Sequence, residues 1–297
     1  MSYIDKLLGV FIPIATPFIN EQVEWDMLCK NVCKYNDTQL KGFMILGGNG
    51  EYLGLSEEES LRVIDTVIEY KSPEKTAIVG VGRESAYNTL EFIKKAAHRG
   101  AEFASIITPF YYAKFMTENT LTQYYIRIAE ESPVPIIVYN SPEYAAGVSL
   151  SIHTVSILSR HPNIIAMKNS SNEPIDKYLQ QVRKEDEFYI QAGRVSHFIK
   201  GLYDGAIGAT LSMANFLPGQ CCEIYELFVK GEKEKANTLC ESLIRINRVV
   251  SKSSVPGVKA AMNLLGYDGG EVRLPLITLD QEKQSEIKEV LYEEGLL

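Results

Sequence analysis

Lys168 lies at the end of the apolar run Ile164-Ile165-Ala166-Met167-Lys168-Asn169, which reads as a buried strand carrying an amine. An ammonium is costly to bury unless it is paired or chemically employed. Burial favours the neutral amine, and only the neutral amine attacks a carbonyl carbon to form a Schiff base. The segment is also readable as a lysine just past a strand and pointing to water. Three further segments carry groups that imine chemistry uses. Gly47-Gly48-Asn49-Gly50-Glu51 is a glycine-rich turn whose N–H groups could cradle an anion, or a plain tight turn. Thr108-Pro109-Phe110-Tyr111-Tyr112 and Tyr139-Asn140 supply tyrosines, which can pass a proton to and from a carbinolamine or serve only as packing.

These segments share a place in the chain's alternation. Short β-rich runs at 10–16, 42–47, 76–82, 103–108, 135–140, 164–169, 188–193 and 205–211 alternate with stretches of helical period at 25–40, 56–71, 85–99, 117–131, 149–160 and 174–184. Ser56 followed by Glu59 is a capping-box start, and Gly100 after Arg99 is a helix stop. Eight such units predict an α/β fold of the (β/α)8 TIM-barrel type. A doubly wound open sheet is the competitor, but its glycine fingerprint is missing after the first strand, which runs into Thr16-Pro17-Phe18. In a barrel the chemistry sits at the C-terminal strand ends, where the glycine turn, the tyrosines and Lys168 all fall. Residues 1–215 are expected to form the barrel that carries the active site. Residues 216–297, with helical patterns at 216–229, 232–249, 255–265 and 279–293, are expected to form a helical region packed on it.

Composition narrows the function classes. Hydrophobic residues make up 45% of the 297 and charged residues 23%, which permits a large core and argues against extended disorder. A net charge of −8 and the lack of a basic tract exclude the electrostatic footprint of a nucleic-acid binder. No secretory pattern opens the chain and no run approaches the length of a membrane span, so a cytoplasmic protein with no membrane partner is expected. Five cysteines, an odd number, do not suggest a disulfide framework. Cys29 and Cys33 stand one helical turn apart, as half a metal site or as small buried hydrophobes. The histidines, His98, His153, His161 and His197, complete no metal pattern, and no metal or other cofactor is expected.

The chain resembles the family of dihydrodipicolinate synthase and N-acetylneuraminate lyase, the pyruvate-type class I aldolases. The likeness runs through Ile14-Ala15-Thr16-Pro17-Phe18, the turn at 47–51, Gly80-Val81-Gly82, the tyrosine segment at 108–112, Tyr139-Asn140-Ser141-Pro142, the Lys168 strand and Gly205-Ala206-Ile207-Gly208-Ala209-Thr210. Pro256-Gly257-Val258-Lys259-Ala260-Ala261 and Arg273-Leu274-Pro275-Leu276 extend it into the late helical region. The resemblance implies that Lys168 forms the imine with a 2-oxo acid substrate and that Tyr139 shuttles protons. It implies that Gly48 and Asn49 hold the substrate carboxylate, and that Tyr111 enters a neighbouring subunit's site in a homotetramer built as a dimer of dimers.

Two departures bear on the substrate. Gly48 stands where the synthases and sialic acid lyases carry a hydroxyl that links two tyrosines. Glu143-Tyr144-Ala145-Ala146-Gly147 lacks the arginine with which synthases hold their second substrate, which argues against a true dihydrodipicolinate synthase. Arg194, or Arg83, each following a glycine at a strand end, could instead clamp a distal acidic group, or could be a solvated loop residue. Ser170, Ser171 and Thr210 are polar candidates for substrate hydroxyls, or for loop capping and barrel packing. The expected activity is that of a Schiff-base lyase releasing pyruvate from a 4-hydroxy-2-oxo acid or deoxy sugar acid. The alternatives are a sugar-acid dehydratase using the same lysine imine, a non-catalytic 2-oxo-acid-binding protein and, least supported, a metal-dependent barrel aldolase.

Overall fold

The computed structural model describes residues 3–297. Its strands, in chain order, are β1 (Gly9–Pro13), β2 (Phe18–Ile19), β3 (Gln22–Val23), β4 (Gly42–Ile45), β5 (Thr76–Gly80), β6 (Phe103–Ile107), β7 (Ile136–Asn140), β8 (Ile164–Asn169), β9 (Tyr189–Ala192) and β10 (Gly208–Thr210). β2 and β3 form a small antiparallel hairpin. The other eight are hydrogen-bonded in the order β1-β10-β9-β8-β7-β6-β5-β4, and the order closes on itself. The pairings run parallel. The fold is therefore the (β/α)8 barrel and not the open doubly wound sheet. Strands of a parallel barrel are covered on both faces, which is why they read as continuous apolar runs. β1, β5 and β8 are buried at every position.

The helices are α1 (Tyr3–Leu7), α2 (Trp25–Asn36), α3 (Glu57–Tyr70), α4 (Ala86–His98), α5 (Glu118–Glu131), α6 (Ile152–Leu158), α7 (Ile175–Leu179), α8 (Phe198–Asp204), α9 (Pro218–Val229), α10 (Lys233–Val250), α11 (Ser254–Leu264) and α12 (Gln281–Glu293). Their starts follow local chemistry. The Ser56 hydroxyl accepts the Glu59 N–H while the Glu59 carboxylate accepts the Ser56 N–H, a complete capping box. Ser85, Thr117, Ser151 and Asp280 cap α4, α5, α6 and α12 by the one-way bond alone, each side chain accepting the N–H three residues on and contributing about 1 kcal/mol. The Ser151 cap also explains why α6 begins later than its apolar period suggests: the N–H of Leu150 and the hydroxyl of Ser149 are held by the Asn140 side chain instead.

Contacts divide the chain into two compact units. One takes the residues up to Leu8 with Thr76–Thr210, and so contains β5–β10 and α4–α8; Val79, Ile106, Val138, Met167 and Ile190 are fully buried in it. The other takes Gly9–Lys75 with Leu211–Leu297, and so contains β1–β4 and the remaining helices after α1. There α9 packs on β1, α10 on α9, and α12 against both α10 and α11. Each fully buried Val, Ile, Leu or Met side chain stabilises its unit by roughly 1.5–3 kcal/mol.

Candidate active site

Lys168 and Tyr139 are partners in the β7–β8 ladder, and Gln191 of β9 is the partner of Lys168 on its other side. Lys168 is 7% exposed, so the amine is buried and does not project into water. Its Nζ lies 4.3 Å from the centroid of the Tyr139 ring, within the range where a cation is attracted to an aromatic face. Burial pushes the Tyr139 phenol up, but the charge of Lys168 and the nearby Ser141 and Ser170 hydroxyls together outweigh it, and the phenol is held below the usual tyrosine value. A tyrosine so placed can give up and recover a proton beside the amine.

The frame around this pair is tightly specified. The Asn140 side-chain amide donates to the Tyr178 hydroxyl at 3.1 Å and to the Asn169 side-chain oxygen at 3.4 Å, tying the residues that follow Tyr139 and Lys168 to each other. The Ser170 N–H donates to the Asn140 carbonyl, and the Gly193 N–H to the Asn169 carbonyl, each at 2.8 Å. The Ser141 and Ser170 hydroxyls are buried near the phenol, yet neither is in full hydrogen-bond geometry with any partner. Both act on the Tyr139 phenol, and buried hydroxyls whose hydrogen bonding is incomplete are rare in folded proteins. Gly193 leaves the space that Ser170 fills: a Cβ there would sit 1.9 Å from Ser170 Oγ.

The other candidates in this unit are placed differently. Arg194 donates to the Glu143 carboxylate at 2.8 Å, so a residue after β9 is bridged to the loop after β7, past the end of the strand that carries Lys168. Arg83 lies 4.0 Å over the Phe92 ring of α4 and donates to the Gly82 carbonyl. The Thr210 hydroxyl, fully buried, donates to the Gln191 side chain at 2.9 Å, and Gln191 in turn donates to the Leu7 carbonyl at 3.0 Å. Ser171 donates to the Asn169 side chain at 2.8 Å. Tyr111 is 76% exposed in the single chain. Its loop is held by Glu84, whose carboxylate accepts the N–H groups of Phe110 and Tyr111 at 3.2 and 3.0 Å.

In the second unit, Gly48–Gly50 forms one 3-10 turn, capped by Glu51 in a left-handed conformation, φ 51°. The first N–H groups of such a turn find no acceptor within it. Asn49 is 8% exposed; its oxygen accepts from Ser212 at 3.4 Å, while its amide nitrogen has no hydrogen-bond partner. A Cβ added to Gly48 would meet nothing within 4 Å, whereas one on Gly50 would lie 3.2 Å from the Ile14 carbonyl. Behind the turn Glu51 forms a buried ion pair with Lys259 of α11 at 2.5 Å. Sequence reading did not single out this pair. The signal was available: Lys259 interrupts an apolar stretch just as Lys168 does.

Among the described residues no group of three or more His, Cys, Asp or Glu side chains converges to hold a metal, and none of the five cysteines forms a disulfide. No described helix is long and apolar enough to cross a membrane. The Dihydrodipicolinate synthetase family profile matches residues 6–294. The chain belongs to that family. It is similar to the 4-hydroxy-tetrahydrodipicolinate synthase of Caldicellulosiruptor saccharolyticus, at 30% identity over 97% of both chains. It is also similar to the probable mitochondrial 4-hydroxy-2-oxoglutarate aldolase of Emericella nidulans, at 28% identity over 96% of this chain and 94% of the relative. The crystal structure of dihydrodipicolinate synthase from Thermotoga maritima superposes with a TM-score of 0.88 at 28% identity, covering 98% of this chain and 99% of that one. As a member of the dihydrodipicolinate synthetase family, the protein is a lyase of the class I aldolase type.

Proposed function

We propose that this lyase reversibly cleaves a 4-hydroxy-2-oxo acid or a deoxy sugar acid between C3 and C4, releasing pyruvate through an imine on Lys168. The observation that carries the reading is the buried Lys168 amine, 4.3 Å from the Tyr139 ring and in register with it. The neutral amine attacks the C2 carbonyl, and Tyr139 passes a proton to the carbinolamine oxygen, which leaves as water. The iminium then withdraws electrons from C3. Tyr139 takes the proton of the C4 hydroxyl, the C3–C4 bond breaks, and an aldehyde leaves while the electron pair is stored as an enamine. Protonation at C3 and hydrolysis return pyruvate and free lysine.

In this reading the Gly48 and Asn49 N–H groups and the unpaired Asn49 amide receive the C1 carboxylate. Arg194 reads an acidic group at the far end of the substrate, and the Ser170 hydroxyl, beside the Tyr139 phenol, serves the reacting oxygen. Tyr111 is supplied to a neighbouring copy in a homotetramer; its exposure in the single chain is compatible with that role. The loop from Glu143 to Gly147 lacks arginine, which weighs against a synthase that must grip a second acidic substrate there. The test is product analysis across a panel of 4-hydroxy-2-oxo acids and deoxy sugar acids. Pyruvate and an aldehyde in equal amounts support the reading. Loss of water with the carbon chain intact would replace it with a dehydratase, and ligand binding without turnover with a binding protein.

A further inference from the structure

Lys259 is 2% exposed and belongs to no step of the chemistry above. Its ammonium contacts the Glu51 carboxylate at 2.5 Å, donates to the Glu271 carbonyl at 2.5 Å, and lies 4.5 Å over the Phe18 ring. The second Glu51 oxygen accepts the Arg273 backbone N–H at 3.0 Å. Both ends of the Glu51 carboxylate are thus fastened from residues beyond 258, while its backbone closes the Gly48–Gly50 turn by donating to the Gly48 carbonyl at 3.0 Å. Glu51 has φ 51°, a left-handed conformation that a side chain other than glycine adopts only when its surroundings impose it. The neighbouring Asn49 presents a buried amide with no partner, which marks the turn as built to receive something.

We propose that Lys259 is a positioning residue for the substrate carboxylate: through its buried pair with Glu51 it holds the Gly48–Asn49 turn in the shape that receives an anion, an inference resting on the carboxylate-binding role proposed for that turn. Removing the ammonium leaves a buried carboxylate without its counter-charge, and the strained Glu51 backbone loses what fixes it. The consequence falls on binding of the acid group and leaves the amine at Lys168 untouched.

The experiment follows imine formation by borohydride trapping at increasing concentration of pyruvate, and of acetone, a ketone without a carboxylate. In Lys259→Met the half-saturating pyruvate concentration rises about tenfold or more, equivalent to about 1.4 kcal/mol, while the limiting trapping rate and the acetone dependence stay as in the wild type. Glu51→Gln, which keeps the side-chain shape and the acceptor for Arg273 but loses the ionic attraction, shifts pyruvate in the same direction and decides the matter if Lys259→Met does not fold. An unchanged pyruvate dependence in folded variants overturns the inference, as does an equal change for pyruvate and acetone, which would mark a general structural role. Wild-type protein that forms no pyruvate adduct would instead overturn the imine reading itself. Wild-type protein that traps pyruvate no better than acetone would overturn the carboxylate role of the turn.

Discussion

Tyr139 and Lys168 face each other across the β7–β8 ladder with the amine 4.3 Å from the ring centroid, so each sets the electrostatic environment of the other. The lysine charge and the Ser141 and Ser170 hydroxyls hold the Tyr139 phenol below its usual value against the upward push of burial. In Lys168→Met the burial remains and the charge is gone, so the phenol pKa rises. An ultraviolet tyrosinate titration, differenced against Tyr139→Phe, measures it. The linkage has a definite sign: between the folded-state value and about 10 the unfolded chain holds the proton more often, so this group makes stability rise with pH in that window. The variant loses that slope, and an unchanged titration would contradict the coupling.

The glycines on the two units differ in what they permit. A side chain at Gly48 meets open space and the backbone there is not left-handed, so Gly48→Ser folds with a stability change within about 0.5 kcal/mol and still forms the pyruvate imine. Gly193→Ala places a methyl 1.9 Å from Ser170 Oγ and 3.0 Å from the Asn169 carbonyl, and destabilises by about 1–3 kcal/mol. Thermal or denaturant unfolding of the two variants distinguishes these outcomes; equal stability would show that the space at Gly193 is not needed.

The barrel was legible because its strands, buried on both faces, announce themselves as apolar runs, and Lys168 stood out by breaking one. The sequence places the ends of β7 and β8 correctly at Asn140 and Asn169, but the other six strand ends one to three residues too far on, because buried residues such as Gly47, Thr108 and Leu211 continue past the strand and only pairing shows where it stops. The short β2–β3 hairpin and α8 escaped notice because neither is long enough to display a period. Periodicity suggested a helix over 174–184, but α7 ends at Leu179, and the chain beyond is turned by the Arg183–Asp186 ion pair. Side-chain partners far apart in sequence were beyond reach: nothing local ties Arg194 to Glu143, Thr210 to Gln191, or Glu51 to Lys259.

In the proposed function Arg194 reads the distal end of the substrate. Its guanidinium is paired with Glu143, a carboxylate that an acidic substrate would have to replace. Glu143→Gln should therefore raise kcat/KM for substrates with a distal carboxylate relative to neutral ones, and Arg194→Ala should erase that preference by about tenfold. Because the pair is partly exposed, either change should alter stability by less than about 1 kcal/mol. Steady-state kinetics on a matched acidic and neutral pair of substrates measures the ratio; an unaltered ratio in both variants would remove Arg194 from the site.

Burial lowers the Lys259 amine to about 8, against the opposing pull of Glu51; Arg273 lowers it further and Glu271 raises it. The half-saturating pyruvate concentration should therefore climb as pH rises through about 8, and Lys259→Met should lack this inflection. Stability moves the other way. The folded value lies below the unfolded one, so between about 8 and 10.5 the unfolded chain binds more protons and this group makes stability rise with pH. Parallel binding and unfolding measurements across that interval separate the two effects; a flat binding profile would contradict the role of the charged pair.

Three buried lysines make the central claim sharply testable, since Lys75 is committed to the Thr38 and Leu40 carbonyls and Lys259 to Glu51 and the Glu271 carbonyl, while the proposed imine falls on Lys168. The protein is incubated with pyruvate and borohydride, digested, and mapped by peptide mass spectrometry with Lys168→Ala as control. A single reduced adduct on Lys168, absent from the control, is the predicted result. Folded protein with no adduct, or an adduct on Lys259, would contradict the proposed mechanism.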